Sequence, residues 1–386
     1  MLHRTLLTSV VALAAALLPA TGGAAGTTAP ADPRSHIVVL KDTATDPGEV
    51  ATMHGRRLGA GPGRIYTDAL KGYAAALPEE SLEAVRRDPR VAYVEPDGPV
   101  QATAQNLPWG INRVDADTSS TLAGNGSGGV SNVNAFVIDT GISKHPDLRV
   151  VRHVNFAGGP NTDCSGHGTH VAGTLAAKDN TGAVVGVAPG ASLTGVKVLG
   201  CDDYGTKSDV IAGIDYVTRK ARRTGGPDVA NLSLGDRPSP AVDDAVRRSA
   251  RSGVFYAVAA GNQGGSACET SPARAGAGTN NGIATVAATD TWDWEARFSN
   301  YGACVDIWAP GVGILSTRKG GGTGKMSGTS SAAPHVSGGG ALYRSRHSAS
   351  PSDVERKLRE SAAVPGSRSK NGHLIHRLFV GGSAGF

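Results

Sequence analysis

A histidine lies between two glycines in the stretch Ser165-Gly166-His167-Gly168-Thr169-His170-Val171-Ala172-Gly173-Thr174. The flanking glycines allow another backbone segment to approach closely, and the small residues after His167 favour a helix packed tightly against a sheet. His167 and His170 together suggest a metal pair, but the His-Glu-x-x-His pattern of zinc hydrolases is absent. We therefore expect His170 to be a core or helix-face histidine.

Apolar strands alternate with helices around this stretch. This alternation is typical of α/β proteins, in which a doubly wound, mostly parallel sheet is flanked by helices. In such sheets the functional residues gather beyond the carboxyl ends of the strands. The predicted strands are residues 134–138, 193–199, 229–233, 254–258 and 283–287, and the predicted helices are about 167–178, 208–222, 240–251 and 329–345.

A smaller α+β unit precedes this sheet, over residues 35–104. Strands are predicted at 36–41 and 91–95, and residues 81–87 show helical spacing with Ser81 as the N-terminal cap. We expect this unit to be a separate N-terminal domain, followed by a large domain over residues 105–386.

The first 25 residues have the pattern of an export signal. His3 and Arg4 form a short basic region, an apolar run follows from Leu6 to Leu18, and small residues continue through Ala25. The run is too short for a membrane span, so we predict a signal peptide, removed after Ala20 or Ala25. Export also permits disulfide bonds.

Composition excludes several classes of function. The chain has 386 residues, 39% of them hydrophobic, and a net charge of only +5. No long Lys/Arg run indicates nucleic-acid binding, and no apolar stretch after the signal is long enough to cross a membrane. We expect a secreted globular protein with no nucleic-acid or membrane partner.

Two further stretches contain candidate chemical groups. Asp139 directly follows a buried strand, although an Asp there often only caps the next helix. Ser330 begins a predicted helix, within residues 324–336 (Gly-Lys-Met-Ser-Gly-Thr-Ser-Ser-Ala-Ala-Pro-His-Val), and a helix cap is again the simpler interpretation. We place Pro334 in or near the first turn, where its missing N–H does little harm. The free N–H groups of that turn would stabilise an oxyanion.

Taken together, these stretches resemble those of the subtilisin-like serine peptidases, the subtilases. The resemblance spans nearly all of residues 105–386 and includes the chain order Asp, His, Ser. It implies that Ser330 is the nucleophile, His167 the general base and acid, and Asp139 the group that orients His167. A serine hydroxyl needs an adjacent imidazole to take its proton, and the imidazole needs a carboxylate to fix its tautomer. Ser331 departs from the family, which most often has Met there.

Asn262, after predicted strand 254–258, completes the chemical positions. The resemblance implies that its side chain and the N–H of Ser330 bind the oxyanion of the tetrahedral intermediate. We therefore expect an active serine endopeptidase that works through an acyl-enzyme.

The resemblance also implies a substrate cleft. Broad specificity follows, with a preference for large apolar or aromatic side chains before the cleaved bond. Asp202 and Asp203 would instead favour basic side chains, unless they are only solvated turn residues. The implied cleft consists of a substrate-pairing strand (Asp203, Tyr204, Gly205) and two pocket walls (Ser233, Leu234, Gly235 and Ala259, Ala260, Gly261).

Four cysteines allow three pairings, and no Cys-x-x-Cys spacing indicates a zinc site. The resemblance is closest to the proteinase K/aqualysin-like branch, which implies the disulfides Cys164–Cys201 and Cys268–Cys304. It also implies a structural calcium ion, held by Asp306 and by backbone carbonyls near Asn281 and Ile283. A structural Asp in a loop is the alternative, and the chemistry itself requires no cofactor.

The N-terminal unit resembles the inhibitor-type propeptide of subtilases. It would template the slow folding of a parallel sheet and then leave its tail in the cleft, after cleavage within Gln101–Gln105. We expect a monomer whose partners are peptide substrates and its own propeptide. A selective processing protease, a non-catalytic binding module and a zinc hydrolase are the alternatives.

Overall fold

The computed structural model describes residues 35–59, 61–97, 105, 107–278 and 280–386. The chain forms two compact units, with the boundary between residues 102 and 103. The predicted signal peptide, and residues 101–104 of the predicted cleavage region, lie outside the described residues. Within the described ranges, no helix is long and apolar enough to cross a membrane.

The N-terminal unit is an antiparallel sheet with two helices packed on it. Its strands have the order β2-β3-β1-β4, and a core that includes Val38, Tyr73 and Val85 lies between sheet and helices. The strands are β1 (Ser35–Leu40), β2 (Gly61–Tyr66), β3 (Gly72–Ala76) and β4 (Val91–Pro96), and the helices are α1 (Pro47–Leu58) and α2 (Glu79–Arg86).

The sequence analysis was wrong about the cap of α2. This helix begins at Glu79, two residues before Ser81, and Pro78 is the residue ahead of it. Proline is tolerated at this position because the residue ahead of a helix donates no hydrogen bond within it. The Ser81 hydroxyl donates instead to the carbonyl of Leu58, at the end of α1.

The larger unit contains a seven-stranded sheet in which all six strand pairings are parallel. Its order is β11-β10-β9-β8-β5-β7-β6, so the chain winds in both directions from a central strand, as predicted. The strands are β5 (Asn134–Asp139), β6 (Val150–Asn155), β7 (Ser192–Lys197), β8 (Asp228–Leu232), β9 (Val254–Ala259), β10 (Ile283–Thr289) and β11 (Ile307–Pro310).

Helices cover both faces of this sheet. They are α3 (Trp109–Arg113), α4 (His167–Ala176), α5 (Lys207–Thr224), α6 (Pro240–Arg251), α7 (Thr329–Arg346) and α8 (Pro351–Glu360), and a hairpin of β12 (Ile314–Thr317) and β13 (Thr323–Met326) precedes α7. Along β5, Ala135 and Val137 pack with α4 and α7, whereas Phe136 and Ile138 pack with α5 and α6. Both faces are buried because successive side chains of a strand point to opposite sides.

The sheet brings distant residues of the chain to one edge. Asp139 is the last residue of β5, and Ser233 and Asn262 follow β8 and β9. Neighbouring parallel strands end at the same edge, so the side chains beyond their carboxyl ends lie close together. Helix α4 begins at His167. Helix α7 begins at Thr329, so Ser330 is its second residue.

Two disulfides join Cys164 to Cys201 and Cys268 to Cys304. These are the pairings that the resemblance implies. The first ties the loop before His167 to the segment after β7, and the second joins the segment between β9 and β10 to the segment before β11.

We expect replacement of Cys268 and Cys304 by serine to lower the free energy of unfolding by roughly 3–4 kcal/mol, because the bond closes a loop with a sequence separation of 36 residues. Guanidinium denaturation of the full chain measures this loss. A matched double variant at Cys164 and Cys201 should lose a similar amount, since its separation is 37 residues. Denaturation midpoints that equal that of the parent chain would contradict the expectation.

Candidate active site

The Asp139 carboxylate binds the imidazole of His167 directly. Asp139 is fully buried, and its Oδ1 accepts hydrogen bonds from His167 Nδ1 and from the N–H of Thr140, each at 2.7 Å. Its Oδ2 has no hydrogen-bond partner within the part of the chain that the structure describes. The bond to Oδ1 places the proton of neutral His167 on Nδ1, so Nε2 is left as the acceptor.

Glycines on either side of His167 make this contact sterically feasible. Gly166 ends the preceding loop with φ 116°, a conformation that side chains rarely adopt. A methyl group on Gly168 would lie 3.1 Å from both the Asp139 carboxylate and the Thr140 hydroxyl. The pattern of glycines around the histidine therefore lets the first turn of α4 approach the end of β5.

The electrostatic surroundings of His167 favour its charged form. Burial by itself lowers the pKa of the imidazole, but three carboxylates outweigh it and raise the pKa from 6.5 to about 9. Asp139 contributes most, through its charge and its hydrogen bond, and Asp203 and Asp163 contribute through their charges. The site is therefore prepared to hold an imidazolium.

Asn262 is oriented with its N–H groups toward Ser330. Its Oδ1 accepts from the backbone N–H of Thr329 at 2.8 Å and from the Thr329 hydroxyl at 3.0 Å. Because a backbone N–H can only donate, the oxygen of the amide must face Thr329 and Nδ2 must face the other way. A methyl group on Gly328 would lie 2.8 Å from Ser330 Oγ and 3.5 Å from Asn262 Nδ2, so the missing side chain leaves open space between these two groups.

Pro334 lies deeper in α7 than predicted. It is the sixth residue of the helix, beyond the first turn, and so leaves the carbonyl of Ser330 without its usual N–H partner. The Ser233 hydroxyl supplies the missing donor, at 2.8 Å from that carbonyl. Asn231, at 2.7 Å from the same hydroxyl, fixes its orientation. The proline thus allows β8 to be bonded to the residue that carries the candidate nucleophile.

A cavity of about 460 Å³ joins these groups. Eight of the nine residues predicted to form the cleft line it, together with His167, Asn262 and Ser330. Ala260 is the exception: it is fully buried and packs with Ala267 and Ala287, because alternate residues of an extended segment face opposite sides. Among the described residues, no hydrogen bond of 3.5 Å or less joins Ser330 Oγ to His167.

Several residues that line the cavity were not predicted, because the local sequence does not show which residues of a loop or helix face it. Asp236 and Ser271 pair as an isolated β-bridge and line one side of the cavity, and Val242 comes from α6. Asp203 has a left-handed backbone with φ 68°, next to Tyr204, whose side chain is 79% exposed. Two basic residues, Lys207 and Arg237, line the same cavity.

His170 is a core histidine, as expected. It is 1% exposed, and its Nε2 bonds to the carbonyl of Ile314 at 2.8 Å. Burial lowers its pKa to about 4. No group of three or more His, Cys, Asp or Glu side chains within the described ranges is arranged to hold a metal.

Two of the residues predicted to bind calcium, Asp306 and Ile283, both lie close to Gly276. Asp306 Oδ2 accepts from the N–H of Thr285 at 2.8 Å, and burial raises the pKa of Asp306 well above its usual value. A methyl group on Gly276 would lie 3.0 Å from this Oδ2 and 3.2 Å from the carbonyl of Ile283. The Asn281 side chain accepts from the N–H of Ile283 and shapes the turn. A buried carboxylate and a nearby carbonyl are two of the about six to eight oxygen ligands that calcium takes, so calcium binding at Asp306 stays a prediction.

We expect His167 to titrate at about 9 in an NMR experiment on ¹⁵N-histidine-labelled protein. Asp203→Asn should lower this value, because it removes one of the three carboxylates, whereas the neighbouring Asp202→Asn should leave it unchanged. Since the folded pKa is raised, protonated His167 stabilises the fold fully below about 6.5, and this contribution is lost as the pH rises through about 9. A titration near 6.5 in all three proteins would contradict the electrostatic account.

Comparisons with known proteins match the chain to two families. Residues 132–381 match the Subtilase family, and residues 35–103 match the peptidase inhibitor I9 family. An extracellular serine proteinase of Thermus sp. (strain Rt41A) is 41% identical over 322 residues, covering 78% of this chain and 73% of the relative. The subtilisin-like serine protease Pen c 1 of Penicillium citrinum is 37% identical over 372 residues, covering 90% and 91%.

A solved structure has the same fold. The crystal structure of a cold adapted subtilisin-like serine proteinase superposes with a TM-score of 0.62 at 38% sequence identity, covering 72% of this chain and 99% of that one. Since the family match spans more than half of the chain, the protein belongs to the subtilase family of serine peptidases, with a peptidase inhibitor I9 region ahead of its peptidase unit.

Proposed function

We propose that this subtilase is a secreted endopeptidase that hydrolyses peptide bonds through an acyl-enzyme on Ser330. One observation carries the proposal: the imidazole that binds the Asp139 carboxylate at 2.7 Å lines the same cavity as Ser330 and Asn262. A carboxylate, an imidazole and a hydroxyl in this order can pass one proton.

In the first step, Ser330 Oγ attacks the carbonyl carbon of the substrate and its proton passes to His167 Nε2. Asp139 stabilises the imidazolium that forms and keeps Nδ1 protonated. The leaving amine then takes the proton from His167, and the acyl group remains on Ser330. A water molecule then attacks the acyl carbon and gives its proton to His167 Nε2. His167 returns this proton to Ser330 Oγ as the carboxylic acid leaves. Catalytic hydrogen bonds are often long before substrate binds, which is consistent with the absence of a bond between Ser330 Oγ and His167 among the described residues.

The oxyanion of each tetrahedral intermediate would bind to Asn262 Nδ2 and to the N–H of Ser330. Asn262 is held by Thr329, so its donor is oriented before the reaction begins. Loss of one such donor costs about 3–4 kcal/mol of transition-state stabilisation.

The cavity favours broad specificity. Leu234, Val242 and Ala259 give it apolar walls, and its volume suits a large side chain before the cleaved bond. The acid Asp203 would attract basic side chains, but Lys207 and Arg237 line the same cavity and oppose that preference. An extended substrate would add to the edge at Tyr204 and Gly205 through main-chain hydrogen bonds.

We further propose that the protein is made as a monomeric zymogen. Residues 1–25 would direct secretion, residues 35–104 would act as template and inhibitor, and residues 105–386 would form the mature enzyme. The relative from Thermus sp. (strain Rt41A) is named as extracellular. Gln105 supports cleavage on its N-terminal side, because its side-chain amide donates to the carbonyls of Lys178 at 2.8 Å and Val184 at 2.7 Å within the larger unit.

Expression of the full chain and of Ser330→Ala tests this function. The parent chain should release a piece ending within residues 101–105 and react with a fluorophosphonate at Ser330. The variant should remain joined and unlabelled, because it lacks the nucleophile. Ser331→Ala is the matched control, and it should mature and react like the parent chain.

A Ser330→Ala chain that still cleaves itself, or a label on another residue, would contradict the proposal. Chelation of metal ions distinguishes a zinc hydrolase, which would lose its activity, from the serine enzyme, which would keep it.

Calcium at Asp306 would stabilise the fold and take no part in the chemistry. We expect calcium to raise the melting temperature of the full chain. At a calcium concentration of one hundred times the dissociation constant, binding adds about 2.7 kcal/mol to the free energy of unfolding. Asp306→Asn should abolish this rise, and Glu360→Gln, at another acid that lines the same cavity as Asp306, should preserve it. Equal melting temperatures with and without calcium would exclude the site.

A further inference from the structure

Asp163 is a buried carboxylate close to the active site that the reaction described above does not use. It lies four residues before His167 and is 3% exposed. Its Oδ1 accepts from the Thr140 hydroxyl at 2.9 Å and from the N–H of Gly166 at 2.8 Å, and its Oδ2 accepts from the N–H and hydroxyl of Thr169 at 2.9 and 2.5 Å. Four donors offset the cost of burying the charge and connect the start of α4 to the residue after Asp139.

Thr140 is the link between these segments, and all its polar atoms are hydrogen-bonded. Its N–H donates to Asp139 Oδ1 at 2.7 Å, and its hydroxyl donates to Asp163 and accepts from the N–H of Gly168 at 2.9 Å. Its carbonyl accepts from the ammonium group of Lys197 at 2.9 Å. Thr140 therefore binds the Asp139 carboxylate on one side and the first turn of α4 on the other.

Lys197 is fully buried and belongs to β7, next to Asp139 in the sheet. Besides Thr140, it donates to the carbonyl of Leu199 at 2.8 Å, in the segment that leads to Asp203. A buried ammonium that bonds two backbone carbonyls holds both segments in place, because loss of either bond would leave the buried charge without one of its acceptors.

We propose that Asp163 and Lys197, acting through Thr140, are positioning residues that keep the Asp139 carboxylate aligned with His167. The inference rests on the proposed function. Asp139 needs such positioning because its Oδ2 has no hydrogen-bond partner among the described residues. Apart from His167, the N–H of Thr140 is the only donor to this carboxylate among the described residues, so a shift of Thr140 rotates the carboxylate away from the imidazole.

Charged and titratable groups surround His167 on several segments. Besides the three carboxylates already described, these include cations and a second imidazole. Removal of the Asp163 charge should therefore lower the pKa of His167, since the Asp163 carboxylate favours the imidazolium. The neighbouring groups are Lys197 on β7, His170 on α4, and Lys319, whose ammonium donates to the carbonyl of Cys164 and whose side-chain carbons approach Gly166.

The test compares variants made as full chains, whose matured active sites are counted with a fluorophosphonate. Thr140→Val removes the hydroxyl but keeps the shape, and it should lower kcat about a hundredfold with KM unchanged within twofold. Thr140→Ser restores the hydroxyl and should remain within about threefold of the parent. Thr174→Val controls for loss of a buried hydroxyl, because Thr174 lies on α4 and the carbonyl of His170 is the only partner of its hydroxyl among the described residues. The kcat of Thr174→Val should remain within twofold of that of the parent chain.

Asp163→Asn provides a second, independent measurement. It should lower kcat at least tenfold and move the acid limb of the kcat/KM profile to lower pH. The double variant Thr140→Val with Asp163→Asn should be no slower than the slower single variant, because both break the same link. If Thr140→Val does not fold, the pH profile of Asp163→Asn decides the question.

Variants whose kcat matches that of the Thr174→Val control, or an Asp163→Asn profile that does not move, would overturn the inference. A fall in kcat that follows only the melting temperature would overturn it as well, since that indicates a purely structural role. Failure of the proposed function gives a different result, because the parent chain itself would then not react with the fluorophosphonate.

Discussion

The hydrogen bond between Asp139 and His167 is the interaction on which the rest of the site depends. A buried carboxylate without a charged or hydrogen-bonded partner is costly, and here the imidazole supplies one of its two donors. The same bond fixes the tautomer of His167 and prepares the site for an imidazolium. The cleft and the oxyanion donors work only if this pair is held in place when substrate arrives.

The fold meets this requirement by bringing several segments to one edge of a parallel sheet. The pair depends on glycines at 166 and 168, which let α4 approach β5, and on the Thr140 link to Asp163. The candidate nucleophile is held from a third strand, because Pro334 frees the carbonyl of Ser330 for the Ser233 hydroxyl. Small residues and backbone hydrogen bonds therefore position the reacting groups as much as the reacting side chains do themselves.

The architecture of the sheet could be predicted from sequence because its strands are continuous apolar runs that alternate with helices. The residues proposed to react could be selected from the sequence because they stand in specific motifs. Ser81, Pro334 and Ala260 were misplaced for a common reason: each depends on where a helix begins or which way one residue faces, and local patterns define both poorly. The links of Asp163 and Lys197 to Thr140 could not be foreseen, since they join residues that only the folded chain brings together. No pattern indicated β2, β3 or β6 either.

The central claim is that the oxyanion forms between Asn262 and Ser330 while His167 stays bonded to Asp139. A crystal structure of the mature protein, covalently bound at Ser330 to a peptidyl phosphonate, tests this most directly. The account predicts the phosphonyl oxygen at 2.7–3.1 Å from Asn262 Nδ2 and from the N–H of Ser330, within the usual range for such donors. It also predicts that the bond from His167 Nδ1 to Asp139 is retained. A phosphonyl oxygen directed to solvent, or an imidazole separated from Asp139, would contradict it.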